Sequence, residues 1–192
     1  MSTLRLRSLV GRSIKVLKAE VDQIRPRQHV ISMLSRAIPH NTGNELRASL
    51  LRLRGIHVGA GTLVFDTPRL TGGEARDFSK LGIGTGCIIG AGCTFEVGST
   101  ITIGNDVTLG HGVLVITTTH EIGPRENRAG NPIRRPVTIE DGASIGARCV
   151  ILPGVTIGAH STVEAGSVVN TNVAPKTRVR GIPARRIVES VP

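Results

Sequence analysis

The chain has 192 residues and a net charge of +10, and it contains three Phe, no Trp and no Tyr beside 24 Gly. A core without large rings favours thin layers of Ile, Val and Leu, which indicates a repetitive architecture. Because few aromatic residues are present to stack on bases and no nucleic-acid-binding motif is found, the positive charge does not predict a nucleic-acid-binding protein.

Cysteine usage and targeting signals narrow the class further. Arg or Lys interrupts the N-terminus every few residues, unlike a signal peptide, and no segment approaches the roughly 20 apolar residues that span a bilayer. Cys87, Cys93 and Cys149 form no CxxC pair, and this odd number predicts neither a disulfide framework nor a zinc site. The sequence therefore predicts a cytoplasmic protein in a reducing compartment.

The N-terminal quarter carries most of the positive charge, because residues 1–54 contain 11 Arg or Lys against 3 Asp or Glu. Between residues 4 and 24, apolar residues recur at helical spacing with basic residues between them, which predicts an amphipathic basic helix. Such a helix packs on the body of the protein or on a neighbouring subunit, or it contacts an anionic inner membrane face through residues 1–30. The apolar positions are Leu6, Leu9, Val10, Ile14, Leu17, Val21 and Ile24.

A second helix is predicted in NELRASLLRLRG, residues 44–55. Thr42 or Asn44 is the expected N-cap, and Gly55 is the expected end. We expect this helix to cap the first coil of a repeat domain. The chain is thus predicted to divide into a basic helical segment, residues 1–54, and a repeat domain, residues 55–192.

Residues 83–174 are built largely of six-residue units that begin with Ile, Val, Leu or Phe. IGTGCI, IGAGCT, FEVGST, IGNDVT and LGHGVL precede an interruption, and IEDGAS, IGARCV, ILPGVT, IGAHST, VEAGSV and VNTNVA follow it. The fourth position is mostly Gly, with Asp106, Arg148, His160 and Asn172 elsewhere, and predicts a turn with positive φ every six residues. The fifth position is always Cys, Ser, Ala or Val, so the three cysteines are predicted to be small core residues. Short strands joined by tight corners predict a parallel β-helix.

The repeat is interrupted between Val115 and Ile139, a separation of 24 residues that includes Pro124, Pro132 and Pro136. Because 24 is a multiple of six, we expect the strands on either side to stack in phase. The segment at about 117–136 predicts a protruding loop, and a long loop in a compact fold is more often functional than accidental. His120 lies near the base of this loop.

Together these features resemble a known family. The repeats, the sequence TTTH, the block ILPGVTIG and the tail VAPKTRVRGIPARRI are similar to those of hexapeptide-repeat acyltransferases, in the branch of galactoside, maltose and polysaccharide O-acetyltransferases. The similarity extends from about Val58 to Val188. It implies a left-handed β-helix with about three units per coil, an exception to the right-handed crossover rule. It also implies a homotrimer that binds acetyl-CoA in the groove between adjacent subunits, with no metal.

The resemblance implies that His120 is the catalytic base, because the family's catalytic histidine follows a Thr-rich strand at the corresponding place. A neutral imidazole can remove the proton of a sugar hydroxyl as it attacks the thioester, and backbone N–H groups can stabilise the oxyanion. No nucleophile elbow is present, which favours direct transfer. Counting three units back places Glu96 beneath the His120 strand, where it orients the base, holds the acceptor or is merely an exposed charge. Glu121 is expected to point away from His120.

The family's acetyl-CoA positions correspond to Ala147, Ala165, Asn170 and Arg185 in this sequence, with Lys176 and Arg186 as helpers that meet the phosphates. A basic tail that is only solvated explains the charged members of this set equally well.

Two departures from the family concern the acceptor and the cofactor path. Ser144 replaces an aromatic residue that lines the relatives' acceptor site, and Ala147 replaces a serine on the cofactor path, so we expect a wider acceptor pocket. The loop also carries four arginines that suit an anionic or extended glycan, or only keep the loop soluble. They are Arg125, Arg128, Arg134 and Arg135.

The sequence therefore predicts an acetyl-CoA-dependent O-acetyltransferase that acts on a sugar hydroxyl, in a surface polysaccharide or its precursor. The alternatives within the same class are an N-acetyltransferase of an amino sugar and a xenobiotic acetyltransferase. A zinc hydratase on the same fold needs a third ligand beside His111 and His120. A non-enzymatic β-helix scaffold, the remaining alternative, predicts that acetyl-CoA does not bind.

Overall fold

The computed structural model describes residues 26–39, 42–72 and 78–187, and the helix predicted over residues 4–24 lies outside these ranges. Within them, two helices precede the strands: α1 (Pro26–Ala37) and α2 (Asn44–Leu53). The sequence patterns did not predict α1, although Pro26 is well suited to the first turn of a helix. No helix in the described ranges is long and apolar enough to cross a membrane.

Most of the remaining described residues form a left-handed parallel β-helix, as predicted. Its short strands, numbered in chain order, stack into three sheets. The first sheet contains β1 (His57–Val58), β4 (Leu81–Ile83), β7 (Ile101–Ile103), β12 (Val137–Ile139) and β15 (Thr156–Ile157). The second contains β2 (Leu63–Val64), β5 (Ile88–Ile89), β8 (Thr108–Leu109), β13 (Ser144–Ile145), β16 (Thr162–Val163), β18 (Arg178–Gly181) and β19 (Ala184–Arg186). The third contains β3 (Arg69–Thr71), β6 (Thr94–Glu96), β9 (Leu114–Ile116), β14 (Val150–Ile151) and β17 (Val168–Val169).

The interruption of the repeat does not disturb the stacking of the coils. In the first sheet Ile139 pairs with Ile103, and in the third sheet Ile151 pairs with Val115. The strands on both sides of the interruption therefore stay in phase, which confirms the expectation from its length.

The first and fifth positions of the repeat form the core. Ile83, Ile139 and Ile151 at first positions are 0% exposed, and burial of each such side chain stabilises the fold by about 1.5–3 kcal/mol. The cysteines at fifth positions are also fully buried, as predicted, and their thiols donate to backbone carbonyls. Burial raises the pKa of all three thiols, that of Cys93 to about 11, so they are poor nucleophiles near neutral pH.

The fourth position forms the predicted turn at most corners. Positive φ occurs at Gly86, Gly92, Gly112, Gly142, Gly154, Gly166, Asp106, Arg148 and His160. Gly98 and Asn172 are exceptions to the prediction. Gly98 belongs to the coil that contains two extra residues, and Asn172 uses its side chain to accept a hydrogen bond of 2.8 Å from the Thr156 N–H.

Helix α2 caps the first coil, as predicted, because its Ala48 and Leu51 share the core with Val58. Its N-cap is Gly43, however, and not Thr42 or Asn44. The side chains of both expected caps are bonded elsewhere: the Thr42 hydroxyl donates to the Pro39 carbonyl at 2.8 Å, and the Asn44 side chain accepts from the buried guanidinium of Arg47. The same guanidinium donates to the carbonyls of Ile38, Pro39 and Thr42. After Arg54, Gly55 takes a φ of 86° and ends the helix as predicted.

The segment predicted as a loop at about 117–136 is a β-hairpin. Strands β10 (Thr118–Ile122) and β11 (Ala129–Arg134) pair antiparallel, with an irregularity after His120. Pro132 favours a loop in the sequence, but a two-stranded hairpin has free edges on which a missing N–H is tolerated. The hairpin leaves the β-helix at the corner between the third and first sheets, because β9 precedes it and β12 follows it.

Candidate active site

His120 lies in the first strand of the hairpin, four residues after the end of the regular strand β9. It pairs with Pro132 on β11 and is exposed in the protomer. Thr117, between β9 and the hairpin, is fully buried, so the backbone is fixed immediately before the strand that carries the imidazole. A histidine on an anchored strand but open to solvent is placed to meet a second molecule.

The anchor of the hairpin is the carboxylate of Glu96 on β6, one coil below. One of its oxygens accepts hydrogen bonds from the backbone N–H groups of Thr117 and Thr118, at 2.8 and 2.9 Å, and from the Thr117 hydroxyl at 2.9 Å. The other accepts from the Thr118 hydroxyl at 2.9 Å. The Thr117 hydroxyl also lies 2.8 Å from the Glu96 carbonyl. These contacts hold the residues that lead to His120.

The charge of Glu96 is stabilised by the same contacts. Burial alone raises the pKa of this carboxyl, but the hydrogen bonds donated by Thr117 and Thr118 outweigh burial and hold the pKa below its ordinary value. Glu96 is therefore ionised at neutral pH. The sequence left open whether Glu96 orients the base, holds the acceptor or is only exposed, and the structure places it against the start of the hairpin.

Two glycines leave room for this carboxylate. A Cβ on Gly98 would collide with the Thr118 hydroxyl and with Glu96, and a Cβ on Gly72 would collide with Glu96 as well. Gly98 is therefore needed for space, and not for a positive φ as at the other turn glycines. The network of Glu96, Gly98, Thr117 and Thr118 is thus partly hidden in the sequence, where Gly98 looks like any other repeat glycine.

Glu121 follows His120 but is tied to the opposite strand. Its carboxylate accepts a hydrogen bond of 3.2 Å from the side chain of Asn131. This contact strengthens the hairpin and gives Glu121 a partner of its own.

The candidate acetyl-CoA residues lie on different corners of the β-helix. Ala147 and Ala165 are stacked at the corner between the second and third sheets, where the Gly166 N–H donates to the Ala147 carbonyl at 2.8 Å. A Cβ on Gly110 would collide with Ala147, and a Cβ on Gly146 with Ala165, so the coils approach each other closely here. On this ridge of small residues Ala165 is exposed and Ala147 is half-buried.

The other candidate residues lie elsewhere. Asn170 follows β17 at the corner between the third and first sheets, on the same side as the hairpin. Lys176, with a φ of 55°, is at the corner between the first and second sheets. Arg185 and Arg186 line a cavity of about 240 Å³ near the end of the β-helix, together with Thr171 and Asn172. A guanidinium-lined cavity of this kind suits an anionic group.

Two residues bear on the acceptor and metal alternatives. Ser144 on β13 is exposed, so this position offers a small polar side chain to the solvent. His111 uses Nδ1 to accept a hydrogen bond of 2.9 Å from the Ala91 N–H. Among residues 26–39, 42–72 and 78–187, no group of three His, Cys, Asp or Glu side chains is arranged to hold a metal ion.

Comparison with known proteins agrees with the repeat and the fold. Residues 136–171 match the family described as bacterial transferase hexapeptide (six repeats), and residues 80–117 match the hexapeptide repeat of succinyl-transferase. A hexapeptide-repeat-containing acetyltransferase from Vibrio cholerae has a crystal structure that superposes with a TM-score of 0.74, at 31% identity over 88% of this chain and 92% of that one. The chain belongs to the hexapeptide-repeat acetyltransferases. The Vibrio cholerae member was also solved in complex with acetyl coenzyme A, and that structure superposes with a TM-score of 0.71, at 31% identity over 88% of each chain.

Curated relatives in this acetyltransferase family match over shorter stretches. Galactoside O-acetyltransferase of Escherichia coli is 36% identical over 77 residues, 40% of this chain and 38% of that protein. A 2,3,4,5-tetrahydropyridine-2,6-dicarboxylate N-acetyltransferase of Clostridium perfringens is 50% identical over 60 residues, 31% of this chain and 25% of that protein. The chain thus spans less than two fifths of the length of either curated relative.

Proposed function

We propose that this hexapeptide-repeat protein is an O-acetyltransferase that moves the acetyl group of acetyl-CoA to a sugar hydroxyl, in a surface polysaccharide or its precursor. The observation that carries the proposal is the exposed His120 on a strand that Glu96 anchors to the β-helix through Thr117 and Thr118. The family relationship supports the donor, since one relative was solved with acetyl coenzyme A.

In the proposed reaction His120 is the general base. Its neutral imidazole accepts the hydroxyl proton while the sugar oxygen bonds to the thioester carbonyl carbon. The tetrahedral oxyanion collapses with cleavage of the C–S bond, and the imidazolium returns the proton to the CoA thiolate. The buried cysteines take no part, because their thiols are raised in pKa and closed off in the core.

Glu96 acts in this scheme as a positioning residue. It contacts the strand that carries His120, and its negative charge is satisfied by four donated hydrogen bonds from two threonines. Ala147, Ala165 and Asn170 border the path of the pantetheine arm, and Arg185, with Arg186 and Lys176, meets the phosphates.

The proposed assembly is a cytoplasmic homotrimer. His120 and the alanine ridge occupy different corners of one protomer, so a groove between two copies is the arrangement that brings them together. Contact of the N-terminal segment with an anionic membrane face is also proposed, because residues 1–54 carry the excess of basic residues.

Replacement of His120 tests the proposed reaction. We expect His120→Ala to lower the rate of thiol release with a sugar acceptor by about 10² to 10⁴, while calorimetry still detects acetyl-CoA binding. His57→Ala, a change at an exposed histidine on β1, is the control and should retain the rate. Near-normal transfer by His120→Ala would contradict the assignment of the base. If the unmodified protein does not bind acetyl-CoA, the non-enzymatic scaffold is favoured instead.

N-acetylation is the second candidate, favoured by the similarity to the Clostridium perfringens enzyme. Acceptors that differ only in a hydroxyl or an amine at one carbon, such as glucose and glucosamine, separate the two. A strong preference for the amine would mean that the reaction is N-acetylation. The proposed role of His120 as the base would stay the same.

A further inference from the structure

His111 lies on the same ridge as the candidate acetyl-CoA positions. It follows β8 at the corner between the second and third sheets, and its carbonyl accepts a hydrogen bond of 2.8 Å from the Arg148 N–H. Ala147 therefore stacks one coil above His111, and Ala165 stacks one coil above Ala147. The ridge thus runs from His111 toward the C-terminal end of the β-helix.

The imidazole of His111 is held at one nitrogen and open at the other. Its Nδ1 accepts a hydrogen bond of 2.9 Å from the N–H of Ala91, one coil below. A nitrogen that accepts a hydrogen bond carries no proton, so the ring proton of this arrangement is on Nε2. His111 is exposed, and within the part of the chain that the structure describes no group accepts a hydrogen bond from Nε2. The ring therefore presents a hydrogen-bond donor whose orientation is fixed by the backbone of the coil below.

The outer face of the third sheet, which borders this ridge, carries an apolar row. Leu114 pairs with Val150 and Val150 with Val168, and each of the three is half-buried while the next residue of its strand is in the core. The corresponding outer positions of the first and second sheets are polar: Thr102, Thr138, Thr156, Thr108, Ser144 and Thr162. This difference favours the third sheet as the face that packs against further copies of the chain.

The third sheet is bordered by the two corners that carry the candidate site. His111 and the alanines lie at the corner with the second sheet, and the hairpin leaves at the corner with the first. In a ring of three copies packed through the third sheet, the hairpin corner of one copy lies beside the His111 corner of the next. His111 and the start of the hairpin also belong to one coil, on either side of β9, so they lie at the same level of such a ring.

We propose that His111 binds the acceptor by donating its Nε2–H to an oxygen of the sugar. The proposal rests on the proposed function, in which the phosphates of acetyl-CoA are bound near Arg185 and the pantetheine arm follows Ala165 and Ala147. On that path the acetyl end lies nearest to Ala147, and the next position along the ridge is His111. The sugar that attacks the acetyl group is then held between His111 of one copy and His120 of the neighbouring copy. His111 sets the position of the acceptor, and His120 takes its proton.

Kinetics of three His111 variants test this role. We would measure thiol release from acetyl-CoA with glucose, glucosamine and methyl galactoside as acceptors. His111→Ala should lower kcat/KM for the acceptor about 3- to 10-fold, the range expected for one lost hydrogen bond, and leave KM for acetyl-CoA within about twofold. His111→Gln offers an amide donor at a similar reach and should recover most of this loss. His111→Asn keeps an oxygen for the Ala91 N–H but is too short to reach the acceptor, so it should match His111→Ala.

The matched control is His160→Asn, the same change at the corner between the first and second sheets, where Asn tolerates the positive φ of 58°. It should retain kcat/KM for every acceptor. Equal kcat/KM for the unmodified protein and His111→Ala would overturn the role of His111 and leave O-acetylation intact. A loss in His111→Ala that is absent in His111→Asn would also overturn it, because His111 would then serve only to hold Ala91.

A cross-linking measurement decides the placement of His111 without an acceptor. If none of the three sugars is acetylated, O-acetylation of these acceptors fails, but the position of His111 opposite His120 is still measurable. The double variant His111→Cys with His120→Cys should be joined into covalent dimers and trimers by a short bismaleimide, because the three native cysteines are buried. Each single variant should remain monomeric in a denaturing gel. A double variant that also remains monomeric would overturn the proposal.

Discussion

At the scale of single residues, Glu96 determines how the hairpin joins the β-helix. Its carboxylate crosses from β6 to the coil above and accepts hydrogen bonds from both the backbone and the hydroxyls of Thr117 and Thr118. Charge-assisted hydrogen bonds of this kind are about twice as strong as neutral ones. A change at Glu96 should therefore move His120 without touching it.

We expect Glu96→Gln to lower kcat on the order of 10- to 100-fold, because the amide NH₂ cannot accept the bonds that the carboxylate accepts and the strand of His120 shifts. KM for acetyl-CoA should stay within about twofold. This split between kcat and KM in steady-state kinetics identifies positioning, since general unfolding would lower the amount of active protein and the binding capacity together.

The matched control is Glu121→Gln, the same change beside His120, which removes a contact only to Asn131 and should retain most of kcat. Equal kcat values for Glu96→Gln and the unmodified protein would contradict the anchoring role.

Because its folded pKa is depressed, Glu96 contributes stability above the ordinary carboxyl pKa of about 4.5, and this contribution is lost as the pH falls through the lower folded value.

The sequence predicts core residues better than caps. The fifth position identified the cysteines as buried because burial follows from the period of the repeat. The N-cap of α2 was predicted wrongly, because a rule based on neighbouring residues cannot include the buried Arg47. Its guanidinium donates to carbonyls that are far apart in the sequence, those of Ile38 and Val64. For Glu96, the repeat predicted its position in the coil. Its hydrogen-bond partners could not be predicted, because they depend on the path of the hairpin.

At the scale of elements, helix α1 presents an apolar stripe to solvent. Val30, Met33 and Leu34 are 55%, 72% and 56% exposed, and they occupy the i, i+3 and i+4 positions of one face, while Ile31 is buried. The stripe directly follows the sequence in which apolar and basic residues alternate at helical spacing. Apolar residues beside excess positive charge are typical of helices that lie on anionic lipid.

We expect the full chain to sediment with vesicles that contain anionic phosphatidylglycerol and much less with vesicles of phosphatidylcholine alone. Replacing Val30, Met33 and Leu34 together by Ser should lower the bound fraction several-fold, because the loss of each apolar side chain weakens insertion. The measurement is co-sedimentation at fixed salt concentration.

The control replaces two exposed leucines of α2, Leu46→Ser and Leu53→Ser, which are each 54% exposed. It should bind vesicles like the unmodified protein. If the α1 variant instead binds vesicles normally but changes the oligomeric state in analytical ultracentrifugation, the stripe contacts another copy of the chain and the membrane contact is wrong.

The elements that the sequence predicted least well are those outside the repeat. The hairpin has no six-residue period and contains prolines, so the sequence did not predict that β10 and β11 pair. Helix α1 lacks acidic residues in its first turn and has a mixed apolar pattern. The repeat itself was readable because each unit buries its first residue and turns at its fourth.

At the scale of the whole molecule, the candidate site residues lie at different corners of the β-helix. The hairpin with His120 projects from the corner between the third and first sheets, and Ala147 and Ala165 form the ridge between the second and third. One protomer therefore presents its proposed base and its candidate cofactor ridge at different corners. We expect the proposed ring of three copies to bring the hairpin of one copy to the ridge of the next.

Mixing two inactive variants tests this shared site. His120→Ala lacks the proposed base but keeps the ridge, and Ala165→Leu keeps that histidine but places a larger side chain on the proposed path of the pantetheine arm. Each variant alone should be inactive, and Ala165→Leu should also lose acetyl-CoA binding by calorimetry. After the two are co-expressed in equal amounts, random assembly into rings should restore about a quarter of the sites, because a site needs an intact base from one copy and an intact ridge from its neighbour.

Sedimentation should give the mass of a trimer for both variants. A co-expressed sample without activity, from trimers of mixed composition, would mean that each protomer contains its own complete site.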